Sequence, residues 1–301
     1  MKIRFIFTLT LSALLFVGCN NKQKGDDQLP SDEQENTELT DQGEADESDN
    51  SQTVDAEQDA GVEMVEASIP IKTDFYSITN LSNINIVYEQ GNPSIRFEGS
   101  STALQNLRYD YDGGVLTLRS EGSKDEFSKQ IQQAEKATIY ITNKELRIIA
   151  VCGAGSFSCH TPFRSTQFQA GCMGSGGIII DQIDCQTFRY EATGPGKAVF
   201  ANIRADEVKL LQYGTGPIEA TASAKTEAII DLGNTGDVKA DVTAPSVATI
   251  SSGAGNLDLH VQADRLEASV LGNGTTTLSG HAKQTKFKNT PTGKIVNNLE
   301  K

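Results

Sequence analysis

The chain has no tryptophan, seven tyrosines and twelve phenylalanines against 27 glycines in 301 residues. So few large rings and so many helix-weakening glycines exclude a helical bundle. Three histidines and five cysteines offer no C-x-x-C pair and no Cys/His zinc spacing, so neither a metal nor a cofactor is expected. Positive charge is scarce, with 26 Lys+Arg against 40 Asp+Glu. The acidity is local: residues 20–66 carry 16 acids and two bases, while residues 67–301 come to a net −2. A folded part so close to neutral has no basic face and excludes a nucleic-acid partner.

The one long apolar run is at the start. Met1–Lys2–Ile3–Arg4 is basic, and Phe5 to Val17 is apolar but too short to span a bilayer as a mature helix. With Gly18 before Cys19 this reads as a secretory signal peptide over 1–18. Phe16–Val17–Gly18–Cys19 resembles the bacterial lipobox, with Phe16 where Leu is usual. That resemblance implies cleavage before Cys19, a diacylglycerol thioether on its sulfur and acylation of its new amino terminus. Two or more acyl chains anchor stably where one binds only marginally. The expected location is therefore the cell envelope, as an outer-membrane lipoprotein facing the periplasm or the surface.

Residues 19–66 are rich in Asp, Glu, Gln, Asn and Ser. They cannot bury enough apolar area to offset ordering entropy and are expected to form a disordered, lipid-anchored linker. A flexible chain of that length spans roughly 35–40 Å root-mean-square.

Beyond residue 150 a repeat emerges. The second glycine of each Gly-x-Gly or near equivalent stands at 155, 176, 196, 216, 236, 255 and 274, in steps of 19 to 21. A degenerate eighth turn falls at Thr292–Gly293. Two residues after each glycine come Phe157, Ile178, Ala198, Ile218, Val238, Leu257 and Thr276. Four after it come Cys159, Ile180, Phe200, Ala220, Ala240, Leu259 and Leu278. Period-two alternation on both sides of a turn means strands with one buried face. The expected fold is all-β, a right-handed parallel β-helix or solenoid with rungs of about 20 residues. Glycine is expected at the corners because a sharp turn often needs positive φ. The competing arrangement is a stack of antiparallel hairpins.

Residues 67–150 read as an N-terminal β region that caps the column, and 151–301 as the repeats with Lys283–Lys301 covering the far end. Strands are expected at Phe75–Ile78, Ile84–Tyr88, Ile95–Glu98, Leu107–Tyr111, Val115–Arg119 and Thr138–Thr142, with a hairpin turn at Asp112–Gly113–Gly114. Lys124–Lys136 is polar and fits a short helix or a loop. The run Tyr109 to Leu118, then Ile139–Tyr140–Ile141, then Gly174–Ser175–Gly176–Gly177–Ile178–Ile179–Ile180–Asp181 resembles the head GIN domain family, also labelled an auto-transporter adhesin. Its members are commonly lipoproteins of Bacteroidetes. The resemblance covers about residues 70–290 and implies fold and location, with no catalytic residue to carry over.

Candidate chemistry is sparse. His160 and Asp181, and Asp241 and His260, occupy equivalent positions on adjacent rungs and are expected to be outward lateral neighbours. An imidazole oriented by a carboxylate is half of a hydrolase constellation, but no third group accompanies it. A solvated ladder pair is the simpler reading. Cys152, Cys159, Cys172 and Cys185 fit buried thiols, and a bridge between Cys152 and Cys172 is sterically conceivable. The turn Gly233–Asn234–Thr235–Gly236–Asp237 lacks the nine-residue repeat of a calcium β-roll.

Ile179, Val199, Leu211, Tyr213, Ile229 and Ile250 fall in columns that should point outward, which suggests an apolar strip along one side. Either the N-terminal region covers it, or it is a binding or dimer surface. The function expected is a non-catalytic binding or adhesion module, held to the membrane by its lipid and meeting a glycan or a surface protein. The alternatives are a carbohydrate-active β-helix enzyme (polysaccharide lyase or hydrolase) and a structural envelope protein.

Overall fold

A computed structural model of the chain describes residues 63–121 and 137–300. The signal peptide, Cys19, the linker up to residue 62 and the whole Lys124–Lys136 stretch lie outside the described residues. The chain runs through β1 (Met64–Ser68), β2 (Ser77–Asn80), β3 (Asn85–Gln90), β4 (Ser94–Ser100) and a short helix α1 (Ser101–Asn106). It continues through β5 (Leu107–Asp112), β6 (Val115–Ser120), β7 (Thr138–Asn143), β8 (Ile148–Val151) and β9 (Phe157–Cys159). The repeats form β10 (Phe163–Cys172), β11 (Ile178–Ile180), β12 (Ile183–Ala192), β13 (Ala198–Gln212) and β14 (Ile218–Leu232). Then follow β15 (Val238–Ser251), β16 (Leu257–Val270), β17 (Thr275–Asn289) and β18 (Lys294–Leu299).

From β8 and β9 onward every pairing along the column is parallel. Ile178 lies beside Ala198, Ala198 beside Ile218, and Val238, Leu257 and Thr276 follow in the same file. All six are no more than 2% exposed. This is a β-solenoid of about eight turns, and the hairpin alternative is excluded. Within β13 the inward buried positions are 198 and 200, then 203 and 205, then 208, 210 and 212, and Leu211 between the last two is buried as well. The alternation breaks twice, where the register against β14 slips after Phe200 and after Ala205. Each such coil therefore has three sides: a first around 198–200, a second around 203–205 and a third around 208–212. The drift in repeat length is absorbed at such a bend: Ser223 pairs with Thr243, but Glu227 pairs with Ser246.

The glycine corners work differently from the expectation. Among the described glycines only Gly113, Gly114 and Gly280 have positive φ, and none of these is a repeat corner. A Cβ on Gly196 would lie 2.0 Å from the Gly176 carbonyl oxygen and 2.5 Å from the Cys172 sulfur. Glycine recurs because stacked corners approach too closely for a side chain.

The N-terminal region continues the column instead of lying over its flank. β2 pairs in parallel with both β6 and β8, and β3 with both β7 and β9. The first coil in sequence is thus inserted between two later ones. Antiparallel pairings of β4 with β7, β1 with β4 and β5 with β6 close that end. The Asp112–Gly113–Gly114 hairpin forms, with φ of +55° and +81° at its glycines. β1 starts three residues inside the stretch expected to be linker, because Met64–Glu66 gain partners on Glu98–Ser100. At the far end the stretch expected as a cap, Lys283–Lys301, supplies the last parallel strands. Thr275–Gly280 pairs with β18, which adds one more row carrying the partly buried Ile295 and Leu299, while Gln284–Asn289, paired with Arg265–Val270, are the last row of another side with Phe287 partly buried.

The core is uneven along its length. Near β9–β13 it is aromatic: Phe163–Phe168, Phe188–Phe200 and Tyr190–Phe200 have ring centroids 5.2, 5.1 and 4.9 Å apart. On the first two sides of β14 and β15 its side chains are smaller, with Ala220, Ala222, Ala224, Ala240, Val242 and Ala244, before Leu259 and Val261 follow in β16.

Candidate functional site

The outward residues of the first side form a straight file, Tyr140–Val87–Ser158–Ile179–Val199–Glu219–Lys239–Asp258–Thr277. Neighbours along such a file are about 4.8 Å apart, the spacing of hydrogen-bonded strands. The file changes character midway. Its first half is apolar or small, with Ile179 39% exposed. Its second half alternates charge, and Lys197 Nζ lies 2.7 Å from Glu219 Oε1. That hydrogen bond holds the Glu219 carboxyl below its usual range, with the Lys197 charge adding to it. At the capped end the Arg96 guanidinium stands 4.3 Å from the centre of the Tyr140 ring and pairs with Glu98 and Glu66. Shallow cavities of about 620 and 530 Å³ lie along the charged half, lined in part by Glu219, Lys239, Asp258 and His260. Val87 and Tyr140 were not legible as members of this file, because their rungs carry no Gly-x-Gly marker.

The histidines sit where the repeat places them. His160 Nδ1 lies 3.2 Å from Asp181 Oδ2, and both side chains are about half exposed. His260 is lateral to Asp241, but its Nδ1 is 3.2 Å from Ser279 Oγ on the following rung. Ser158, the hydroxyl nearest His160 in sequence, donates to the Ile86 carbonyl. Ser279 is thus the hydroxyl in hydrogen-bond reach of the His260 imidazole, while the partner of His160 is the Asp181 carboxylate.

The six residues expected to form one strip are divided between two sides. Ile179 and Val199 are lateral partners on the first side. Leu211 and Ile250 flank Asp231 in one file of the third side, and Ile229 lies in the next file over. Tyr213 is at the corner between third and first sides. The bend at the glycine corner separates the two groups, which sequence periodicity alone could not show. Leu211 is 7% exposed, whereas Tyr213 is 36% exposed. The Tyr213 hydroxyl donates to Asp231 Oδ2 at 2.9 Å, and the Asn234 amide donates to the Tyr213 carbonyl at 3.0 Å. Burial raises the Asp231 carboxyl above its ordinary range, against the opposing effect of the Tyr213 hydrogen bond.

The cysteines belong to the scaffold. Cys159, Cys172 and Cys185 are free thiols, so no Cys152–Cys172 bridge forms. Cys172 donates across its corner to the Gly176 carbonyl at 2.9 Å. Its file carries other polar side chains that span the corner to the fourth residue on: Asn80 to the Ile84 carbonyl at 2.9 Å, Gln212 to that of Gly216, and Asn289 to that of Gly293 at 3.1 Å. Each pins a turn whose backbone would otherwise lack a partner. The sequence signal for these pins was a polar residue four before the second glycine, Cys172 and Gln212 among them.

Comparison with known proteins supports the same architecture. A crystal structure titled a putative adhesin from Parabacteroides merdae is similar at TM-score 0.65 and 20% identity, covering 78% of this chain and 96% of that one. A putative adhesin from Parabacteroides distasonis is similar at TM-score 0.68 and 18% identity, over 78% and 97% of the two chains. A protein from the same species titled a putative lipid binding protein is similar at TM-score 0.61 and 17% identity, over 79% and 97%. At such identities the likeness shows the fold. No curated protein matches. The family described as "Putative auto-transporter adhesin, head GIN domain" matches residues 74–251, more than half of the chain. The chain belongs to the head GIN domain family.

Proposed function

We propose that this protein is a lipid-anchored binding module of the bacterial cell envelope whose role is adhesion, and that its stacked outward files meet a glycan or a surface protein. The observation that carries this reading is the first-side file. An unbroken line of side chains at fixed spacing, apolar at one end and of alternating charge at the other, suits an extended ligand better than a small substrate. The adhesin label of the family and of two similar structures supports it. Cys19 carries the anchor, and the acidic stretch after it spaces the solenoid from the membrane. Two experiments test the two halves. Cys19→Ser should move the protein from the membrane to the soluble fraction; retention on the membrane would overturn the anchor. A glycan and matrix-protein binding array on the lipid-free protein should give specific binding that weakens when Ile179 and Val199 are replaced by Glu.

A second reading has its own support. The apolar half of the file, Val87, Ile179 and Val199, would accept an acyl chain, and one similar structure is titled a lipid-binding protein. Uptake of a fluorescent fatty acid separates this reading from adhesion.

A further inference from the structure

The third side carries a second, smaller patch built around the one large ring that the corner file exposes. We propose that Tyr213, Asp231 and the residues around them form a subsite for a neutral pyranose unit of a glycan. This rests on the binding-module reading and gives it a ligand class and a place.

The Tyr213 ring is held, not loose. Its edge occupies the space that a Cβ on Gly233 would fill, 2.5 Å from that position to Cδ1. Its hydroxyl is fixed by Asp231 and its backbone by the Asn234 amide. The floor beside it is apolar: Leu211 and Ile250 stand on either side of Asp231, with Ile229 in the adjoining file. Around this floor stand Arg189, Lys209, Glu191 and Asp231, with Glu227 two residues before Ile229 on the same outward alternation. Arg189 and Glu191 pair with each other at 2.6 Å, Lys209 lies beside Ile229, and Asp231 has Tyr213 as its one hydrogen-bond partner among the described residues.

That combination fits a neutral polyol. A pyranose presents an apolar C–H face and a rim of hydroxyls, each able to donate and to accept. An exposed ring of fixed orientation beside aliphatic side chains receives the first. Donors of one kind (Arg189, Lys209) and acceptors of the other (Glu191, Asp231) receive the second through charge-assisted bonds. An anionic ligand would meet Glu191, Asp231 and Glu227, and an acyl chain would strip water from the Asp231 carboxylate and leave it the Tyr213 hydroxyl alone.

The test uses the full chain in detergent and a panel of methyl glycosides of glucose, galactose, mannose and N-acetylglucosamine. Saturation-transfer NMR should show contact through the C–H protons of one ring face for at least one of them. Tyr213→Leu and Asp231→Asn should each weaken that binding about tenfold or more, the scale of one lost charge-assisted or stacking contact. Gly233→Ala, which displaces the ring without removing any polar group, should do the same, while Lys283→Gln should not. Circular dichroism confirms that the variants fold. A silent panel, or binding undiminished in both Tyr213→Leu and Asp231→Asn, overturns the subsite. Matrix-protein binding on the array alongside a silent glycoside panel would leave the binding module standing and remove only the sugar.

Discussion

A repeat glycine in this column is a steric requirement more than a conformational one. Gly196 packs under the Gly176 carbonyl with no room for a methyl group, whereas Gly171, inside β10, has nothing nearer to a would-be Cβ than 3.9 Å. Gly196→Ala should therefore destabilise the fold by about 1–3 kcal/mol or more through overpacking. Gly171→Ala should be neutral or mildly stabilising, because it lowers the entropy of the unfolded chain. Chemical denaturation of the two variants checks the contrast; equal losses would mean that the corners relax. The thiols give a second residue-scale prediction. Burial pushes Cys159 and Cys172 up to about 11 and Cys185 up to about 12. Unfolded thiols ionise near 9 while the folded ones stay neutral, so stability should fall as pH rises from about 9 to about 11. At pH 8 an alkylating reagent should reach Cys159 and Cys172 only as fast as the protein opens, as mass spectrometry of quenched samples would show.

At the scale of elements, the same coil serves two packing regimes. Phe200 on β13 touches both Phe188 and Tyr190, joining the aromatic section of the core. Phe200→Ala should cost about 3–5 kcal/mol by opening a cavity that rungs on either side cannot collapse into. Its file continues into Ala220 and Ala240 and then returns to leucine at Leu259 and Leu278, so side-chain size in the interior changes from rung to rung. The bends decide which outward residues share a side. They put Ile179 with Val87 and Tyr140, and they put Ile229 with Asp231. A one-dimensional pattern of outward apolar positions could not make that division, since alternation marks in and out but not which way a bend turns the next stretch.

Among the described residues the solenoid is closed at one end and open at the other. Antiparallel strands cover the end built from β1, β4 and β5, but the last coil leaves the free edges of β17 and β18 unpaired by any further strand among the described residues. Lys283, Lys286 and Lys288 line that edge, with Lys283 paired to Asp264 and Lys286 to Glu267. Charged edge residues discourage edge-to-edge association. Replacing Lys286 and Lys288 together by Val should raise self-association, measured by sedimentation velocity; a variant that stays as dispersed as the parent would show that the edge is protected by other means.

The repeat column was legible from residues 155 to 274 because each rung there announces itself twice, by a glycine that cannot carry a side chain and by alternation around it. The lateral neighbours Ile178, Ala198 and Ile218, and His160 with Asp181, follow from that period alone. Less could be read before residue 150. The coil of Ser77–Gln90 sits between rungs that come later in the chain, and no local pattern encodes an insertion of that kind; it is settled by which edges remain free when the strands assemble. The candidate sites divide in the same way. Periodicity dictated that Tyr213, Ile229 and Ile179 point outward. Only the folded chain, through bends at Phe200 and Ala205 and the close-packed corner beyond Gln212, set two of them around a half-buried Asp231 and carried the third to another side, because the direction of a bend depends on contacts between rungs and not on any residue within one.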